Sequence, residues 1–402
     1  MRLIRRPLPQ AADLSLRRLG GRPIAAALTI VAATLTSMSP AAVRPVAAQH
    51  YYAYVAAESE DQVALVHFDG KTIEVEQTTP VGLLPADIEG PHGVAVSPDG
   101  QFWFVTMAHG NPFGTLFRFR TGSNEPAGSV TLGLFPATIH LSPTTGLLYA
   151  VNFNLHGDMV PSTVSVVDPR TMTELAKTTT GVMPHGSRLS PDGLKHYSVS
   201  MMDGMLHEID AITFALTRSL DLDAGYRVLS AREHAGHQTN GQARHTEHSE
   251  VKPTWASPHP TRPIAYVAGN GVARILEVNL DTWTVDRTFG TAAGPYNLDI
   301  SPDGKWLVAT YKGAASTGLW DLDTGTEVAV IRNTRRLPHG IAITPDSRFA
   351  FVTVEGVGSQ PGTVDVIDLH LGQLVATVDV GKQAGGIAFW QQSARPVVLP
   401  GE

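Results

Sequence analysis

The 402-residue sequence predicts an all-β protein, a seven-bladed β-propeller made of four-stranded antiparallel blades. Three observations predict this fold: one turn motif recurs along the chain, each repeat holds about four short strands, and the chain ends on a partial repeat. The composition agrees, because glycine (38 residues) and proline (28) are abundant while charged residues make up only 17%. Such a balance is typical of turn-rich β proteins.

The turn motif marks five clear repeats. Residues 90–100 read GPHGVAVSPDG, and the later units read TIHLSPTTG, GSRLSPDG, NLDISPDG and GIAITPDS. A degenerate sixth unit lies at 254–263 (TWASPHPTRP), and a partial seventh lies at 385–390 (GGIAFW). The steps between units are 45, 48, 69, 42, 43 and 46 residues, so one step carries an insertion. Counting each unit back to the same column gives His92, Ala137, His185, Thr254, Tyr296, His339 and Gly385.

Each repeat contains short runs of β-branched and aromatic residues bounded by Gly, Asp and Pro, and no segment shows sustained helical periodicity. The SPDG and DLDTG sequences are turns, since Asp and Gly suit turn dihedral angles. Residues 51–82 supply only three strands of the first blade, and GGIAFW supplies the missing inner strand. This closure leaves no unpaired sheet edge. The propeller is predicted to occupy 49–392, followed by a tail at 393–402.

The first 48 residues are predicted to be a secretory signal. They are basic, contain a 13-residue apolar run (PIAAALTIVAATL) too short to span a bilayer, and end in small residues before Gln49. The Arg17-Arg18 pair fits a twin-arginine signal, and a Sec signal fits equally well. The sequence therefore predicts a periplasmic or secreted protein.

The net charge limits the kinds of partner, and the cysteine content limits the kinds of crosslink and metal ligand. The signal carries a net charge of +6, so its removal takes the formal charge from −7 to −13. An acidic chain argues against nucleic acid or an anionic membrane as the main partner. No later run is long enough to span a membrane, and the absence of cysteine excludes disulfides and thiolate ligands. A small molecule or a periplasmic protein is the expected partner; the oligomeric state is not predicted.

The motif PxGVAVSPDG, followed by hYV and V.V.D..T segments, is similar to that of the YVTN/YncE-like seven-bladed propellers. This superfamily lies close to the haem d1 domain of cytochrome cd1 and to the propeller of nitrous oxide reductase. The resemblance covers nearly all of 51–392 and implies the fold. It implies little about function, because these propellers host unrelated chemistries.

Three histidines of the repeat column form the candidate metal site. His92, His185 and His339 start the first, third and sixth inner strands, which are two, three and two blades apart around the ring. Their side chains therefore converge on the channel axis at the top face. Imidazole without thiolate suits copper, zinc or iron, and copper is favoured. Nitrogens about 3–4 Å apart would match one ion, whereas separations beyond about 8 Å would exclude it.

Other residues are predicted on the same top face, as further ligands or as the surroundings of the site. The loops after the second strand of a blade carry His109, His156 and Met202, and the 223–250 insertion is a candidate lid. For each of these an ordinary structural or loop role is the alternative. The remaining candidates are Tyr296 in the column and His234, His237, His245 and His248 in the insertion.

Two functions remain open from the sequence. The first is a metalloprotein with the ion on the three column histidines, acting as an oxidoreductase on an unidentified substrate. The second is a non-catalytic periplasmic binding scaffold or a carrier of a haem-type cofactor. No Ser-His-Asp set, phosphate loop or dinucleotide fingerprint is present in the sequence, and this absence of a complete catalytic set favours the second.

Overall fold

The structure is a computed structural model that describes residues 49–84, 87–109, 112–233 and 248–399. Seven four-stranded antiparallel sheets are present, and their inner strands pack against one another in a closed ring. The predicted seven-bladed β-propeller is therefore confirmed. Blades are numbered from the N-terminus, and strands A to D run from the channel outwards.

The strands of the seven blades have the following bounds. Blade 1 consists of β28 (Ala384–Ser393), β1 (His50–Ala57), β2 (Gln62–Phe68) and β3 (Ile73–Pro80). Blade 2 consists of β4 (Pro91–Val96), β5 (Phe102–Met107), β6 (Thr115–Arg120) and β7 (Pro126–Thr131). Blade 3 consists of β8 (Pro136–Leu141), β9 (Leu148–Asn152), β10 (Pro161–Asp168) and β11 (Thr173–Val182). Blade 4 consists of β12 (Pro184–Leu189), β13 (Lys195–Ser200), β14 (Met205–Asp210) and β15 (Leu216–Asp221).

Blades 5 to 7 complete the ring. Blade 5 consists of β16 (Pro253–Pro258), β17 (Ile264–Gly269), β18 (Arg274–Asn279) and β19 (Thr284–Gly290). Blade 6 consists of β20 (Pro295–Ile300), β21 (Trp306–Tyr311), β22 (Ser316–Asp321) and β23 (Thr326–Arg332). Blade 7 consists of β24 (Pro338–Ile343), β25 (Phe349–Val354), β26 (Thr363–Asp368) and β27 (Gln373–Asp379). Two 3-10 turns follow strand B, at Glu58–Glu60 and Asn270–Val272.

The ring closes through the C-terminal strand, as the partial repeat predicts. β28 pairs antiparallel with β1, with Tyr54 opposite Ala388. β28 also packs between the inner strands of blades 2 and 7. Because the two ends of the chain share one sheet, blade 1 has the same four strands as the others, and its inner edge is covered.

The repeated turn lies at the foot of each inner strand and is stabilised by its own side chains. In SPDG the hydroxyl of Ser97 donates to Asp99, and it accepts the N–H of Phe102, the first residue of β5. The final residue of the turn needs a positive φ, which Gly100 adopts at 69°. The motif therefore recurs because every A–B connection needs the same turn.

The core lies between adjacent blades, where aromatic side chains from neighbouring sheets interlock. Between blades 1 and 2, Tyr54 stacks on Trp103 with ring centroids 5.0 Å apart, and Trp103 stacks on Phe119 at 4.3 Å. All three are buried. Since each sheet is covered on both faces by its neighbours, strands A to C carry almost continuous apolar runs.

One α-helix, α1 (Leu222–Glu233), departs from the prediction that the chain has no helix. The side chain of Asp221 accepts the N–H of Ala224 and so caps its first turn. The apolar Tyr226 and Leu229 pack with Val285 of β19, on the outer part of blades 4 and 5. The sequence features that indicate this helix are the capping Asp221 and the apolar residues that follow it. They are easily overlooked because the surrounding sequence is rich in strands.

The rest of the predicted insertion at 223–250 is only partly described. His234, His237 and His245 lie outside the described residues, so their predicted contribution as ligands or lid stays a prediction. After this gap, Ser249 and Val251 bond back to the carboxylate of Asp223. In the parts of the chain that the structure describes, no helix is long and apolar enough to cross a membrane.

The inner strands approach so closely that a single methyl group would collide with the next blade. A Cβ on Gly386 of β28 would lie 2.0 Å from the carbonyl oxygen of His92 in blade 2. We expect Gly386→Ala to destabilise the protein by about 1–3 kcal/mol through overpacking. Chemical denaturation measures this change. Gly290→Ala is the matched control, because nothing lies within 4 Å of the added Cβ, and an equal effect of both variants would contradict the interpretation.

A buried histidine should make the fold acid-sensitive. His196 stacks on Tyr149 at 5.0 Å, neither ring nitrogen has a hydrogen-bond partner, and burial lowers its pKa to about 3. The unfolded chain takes up this proton below pH of about 6.5, so stability contributed by the neutral ring falls from there towards pH 3. This amounts to about 2 kcal/mol at pH 5.

We therefore expect His196→Phe to keep its stability at pH 7 and to lose about 2 kcal/mol less than wild type between pH 7 and pH 5. Urea denaturation at the two pH values measures the difference. The exposed His370→Gln is the control. Parallel losses in wild type and His196→Phe would show that His196 does not carry this pH dependence.

Candidate metal centre

The structure brings the three column histidines together at the top of the channel. His92, His185 and His339 are 8%, 1% and 4% exposed, and each offers a ligand nitrogen within 4.8 Å of the others. Their ring centroids are 6.1, 5.3 and 6.4 Å apart. The nitrogens, all within 4.8 Å of one another, therefore lie inside the limit of about 8 Å set from the sequence.

The backbone aims these side chains at the axis through a repeated distortion of the inner strand. In blade 2, Pro91 pairs with Met107 but the next pair is Val94 with Val105, so His92 lies in a β-bulge. Equivalent register shifts occur in the inner strands of blades 3 to 7. A bulge releases a residue from the ladder and re-aims its side chain. The column position is therefore the one at which an inner strand can present a side chain to the channel.

His92 is held by a carboxylate. Its Nδ1 donates to Glu58 Oε2 at 2.8 Å, and His109 Nε2 donates to Glu58 Oε1 at 2.7 Å. Burial by itself would raise the pKa of Glu58, but the two imidazoles outweigh it and hold this pKa well below its usual range. The hydrogen bond to Glu58 raises the pKa of His109. Glu58 is thus an anion between two histidines, and the lone pair of His92 Nε2 is left for a ligand.

His185 is held by a backbone carbonyl and a phenol. Its Nδ1 lies 3.3 Å from the carbonyl oxygen of Thr254, and the hydroxyl of Tyr296 lies 3.0 Å from Nε2. Burial lowers the pKa of His185 to about 3, so the ring is neutral. Burial also raises the pKa of Tyr296 well above its usual value, and the nearby carboxylates act in the same direction. The neutral phenol donates its proton to the lone pair that a metal ion would take.

His339 carries an unmet ring nitrogen. Its Nδ1 is buried and makes no hydrogen bond of normal geometry to the residues that the structure describes, although the backbone of Gly385 lies close enough to act on the pKa of the ring. Its Nε2 is 4.0 Å from Glu355. Burial, assisted by the charge of Lys312, holds the pKa of His339 well below its usual range. Lys312 bonds Glu355 at 2.5 Å and lies 3.9 Å from the ring centre of Tyr296. A buried nitrogen without a partner costs free energy unless a ligand takes it.

The opposite wall of the site is aromatic. Phe153 contacts His185 with ring centroids 4.6 Å apart, and Phe135 contacts His92 at 5.4 Å. Trp255 packs on the other side of His185 at 5.3 Å. Three imidazoles in these surroundings form a nitrogen donor set, and burial keeps His185 and His339 neutral and so available to an ion.

Three charged residues that are not among the predicted site residues complete the site: Glu58, Lys312 and Glu355. Each directly follows strand B of its blade, after β1, β21 and β25. They lie in the B–C loops of blades 1, 6 and 7, on the same top face as the loops that carry His109, His156 and Met202. The reasoning that predicts those loops on the top face, extended to ESED, YKG and VEG, would have found them.

The other predicted residues have different positions. His109 contacts the site through Glu58, with 31% of its side chain exposed. His156 is exposed, and its ring meets that of His109 edge to face with centroids 5.6 Å apart. Met202 is not in the three-histidine group and bonds Val182 through its backbone, while His248 is exposed. Tyr296 alone among these candidates contacts a column histidine directly.

A second group of donors lies on blade 1. His67 is buried, with Nδ1 2.7 Å from Glu76 and 3.5 Å from Glu74, and its ring stacks on Tyr52 at 4.5 Å. The side chain of Glu74 is 72% exposed. Unlike the channel histidines, these three donors do not converge on a channel. The two carboxylates of β3 hold the His67 side chain of β2 in place.

The comparisons with known proteins bear on the fold. No protein-family model matches the chain, and no curated protein matches it. A solved structure titled Kuenenia stuttgartiensis hydrazine synthase is similar, with a TM-score of 0.55 and 18% sequence identity over 72% of this chain and 79% of that chain. At this identity the likeness shows the fold alone. The chain therefore belongs among the seven-bladed propellers.

The Glu58 carboxylate should control the titration of His109. We expect Glu58→Gln to lower the pKa of His109 towards its ordinary value, because the hydrogen bond to a charged acceptor is the main cause of its raised pKa. Imidazole resonances followed by NMR across a pH series measure the shift. The exposed His370 is the internal control, since no contact joins it to Glu58 or His109 among the described residues. An unchanged His109 titration would contradict the assigned hydrogen bond.

Proposed function

We propose that the protein binds a transition-metal ion, copper in preference to zinc or iron, on His92, His185 and His339. The observation that carries the proposal is that three buried histidines each offer a ligand nitrogen within 4.8 Å of the others. Ligands at about 2.0–2.1 Å from an ion in tetrahedral geometry lie about 3.3 Å apart. Small side-chain rotations would bring the three nitrogens from their present spacing to that distance.

Copper is favoured by the chemistry of the donors. The set consists of three imidazoles and is free of thiolate, and the affinity of such sites rises along the first-row divalent metals to a maximum at copper. Tyr296 lies beside His185 and offers a phenol oxygen as a fourth group. The carboxylate of Glu58 orients His92 through the nitrogen that does not face the site, which is the arrangement that strengthens a histidine ligand.

An oxidoreductase activity is the form of catalysis that this site would support. A three-histidine copper centre with an open position supplies one-electron chemistry to a bound substrate. The chain's own residues supply the protons: His109 is half-exposed and bonds Glu58, and Lys312 pairs with Glu355 beside Tyr296. Phe135 and Phe153 exclude water from one side of the centre.

Two further assignments are part of the proposal. The repeat motif supports membership of the YVTN/YncE-like propellers, within the seven-bladed fold. The basic, apolar and small-residue order of the first 48 residues supports export to the periplasm or the medium. An oxidising compartment without competing thiols suits a histidine copper site.

The alternative is a binding scaffold or a carrier of a haem-type cofactor. The absence of a complete catalytic set in the sequence supports the scaffold. The carrier is less well supported, because the three imidazole centroids are only 5.3–6.4 Å apart and the rings meet edge to face. A macrocycle does not fit between them.

Metal analysis tests the proposal. Protein purified without a histidine tag, treated with chelator and dialysed against Cu²⁺, should retain one ion per chain. Single Gln variants of His92, His185 or His339 should weaken Cu²⁺ binding at least 100-fold, since each removes one of three ligands. The triple Ala variant should bind none, and a competition titration with a chelating dye measures these affinities.

The exposed His156→Gln is the matched control and should bind Cu²⁺ as wild type does. Melting temperatures of all variants separate lost ligands from lost folding. Equal copper content in wild type and in the triple variant would overturn the metal assignment. A visible spectrum with an intense Soret-type band would instead support the haem carrier.

A further inference from the structure

The central channel continues below the three histidines as a cavity of about 380 Å³, lined by residues from all seven inner strands. His92 and His339 form its upper end. Cavities of a few hundred Å³ with apolar walls and a few convergent polar groups are typical of small-molecule sites. The arrangement of those polar groups indicates the class of ligand.

A second polar layer lies three residues further along the inner strands. The column histidines are the second residue of each inner strand, and the fifth residue is His140 in blade 3, Arg188 in blade 4 and Asp299 in blade 6. At about 3.3 Å per residue this layer is about 10 Å below the histidines. The fifth residue is alanine in blades 1, 2 and 7 (Ala388, Ala95 and Ala342), so one half of the layer is polar and the other is apolar.

Arg188 is the cation of this layer, and its hydrogen bonding is incomplete. Its Nη1 donates to His140 Nε2 at 2.9 Å and to its neighbour's carbonyl at 3.1 Å. Its Nε is 3.7 Å from Asp299, beyond hydrogen-bond distance. Nη2 makes no hydrogen bond to any residue that the structure describes. Only 14% of the side chain is exposed, so a donor of the buried guanidinium is left for another partner.

The carboxylate of Asp299 lies near the Arg188 guanidinium but makes no hydrogen bond of normal length to it. It is held by other donors, since it accepts the hydroxyl of Ser257 at 3.3 Å and the N–H of Ile300 at 3.0 Å. His140 adds no charge, because burial and the neighbouring Arg188 keep the pKa of this imidazole well below its usual range. Arg188 therefore remains the one available cation among the described residues that line the cavity.

Two other cavity-lining residues carry unmet polar atoms. The indole Nε1 of Trp255 and the Oδ1 of Asn297 are buried and have no hydrogen-bond partner among the residues that the structure describes. The amide oxygen of Asn297 is an acceptor and would need a donor group, not a carboxylate. The ring of Trp255 also lies 5.1 Å from the guanidinium of Arg188. An indole N–H can only donate, so it is suited to an acceptor such as a carboxylate oxygen. Buried polar atoms without partners are expected where a ligand supplies the missing bond.

We propose that the channel binds a small organic monocarboxylate, with its carboxylate at Arg188 and Trp255 and its apolar body against the alanine wall. Arg188 supplies the charge, Trp255 a neutral donor, and Ala95, Ala342 and Ala388 leave the space for a ring or short chain. As a substrate site, this proposal rests on the proposed metal function, because His92 and His339 border the same cavity. Binding of the carboxylate in the channel does not itself require a metal ion.

Calorimetric titration of metal-free protein with sodium benzoate tests the site, and benzamide is the neutral analogue of the same shape. We expect benzoate to bind and benzamide to bind at least ten-fold more weakly. Arg188→Gln should weaken benzoate binding at least ten-fold by removing the only available cation. Arg287→Gln, which breaks an ion pair on an outer strand, should leave it unchanged.

Ala342→Leu keeps Arg188 and fills part of the cavity, so it should also weaken benzoate binding even if Arg188→Gln fails to fold. The proposal is overturned if benzoate does not bind, if benzamide binds equally, or if both channel variants bind benzoate as wild type does. The triple Ala variant of the column histidines should still bind benzoate. Failure of the metal site and failure of the carboxylate site are thereby distinguished.

Discussion

One backbone hydrogen bond is repeated in every blade and fixes the top of the channel. The residue that follows strand B donates its N–H to the carbonyl of the residue before the inner strand, at 2.8–3.3 Å in all seven blades. The acceptor residue has a positive φ each time, between 46° and 70°. Six of the seven inner strands then begin with proline, whose fixed φ sets the direction of the chain.

This hydrogen bond places two rings of side chains above one another. The lower ring is the repeat column, and the upper ring consists of the residues after strand B. In blades 1, 6 and 7 the upper ring carries Glu58, Lys312 and Glu355, and in blades 2, 3 and 4 it carries Ala108, Phe153 and Met201. The charged side lies over His92 and His339, and the apolar side over Phe135 and His185. The three-histidine site therefore has acid–base groups on one side and apolar side chains on the other.

The close approach of the inner strands brings the column side chains together in a narrow channel. Gly186 and Gly386 directly follow column residues, and each abuts the carbonyl oxygen of the column residue in the next blade. Threonine hydroxyls bond the column carbonyls of other blades, as Thr138 does for His185 and Thr254 does for Tyr296. A channel this narrow lets imidazoles from blades 2, 4 and 7 come within 4.8 Å, and it also excludes water, which keeps His185 and His339 neutral.

The repeat, the number of blades, the closing strand and the column that faces the axis can all be predicted from the sequence. These follow from short-range requirements, since each turn and strand entrance needs particular residues at fixed spacing. Which loop residues meet the column depends on the folded ring, because Glu58 contacts His92 of the neighbouring blade and Tyr296 contacts His185 from 111 residues away. The helix at Leu222–Glu233 and the unmet nitrogen of His339 also depend on the tertiary structure. Burial and hydrogen-bond partners depend on long-range packing, which periodicity does not encode.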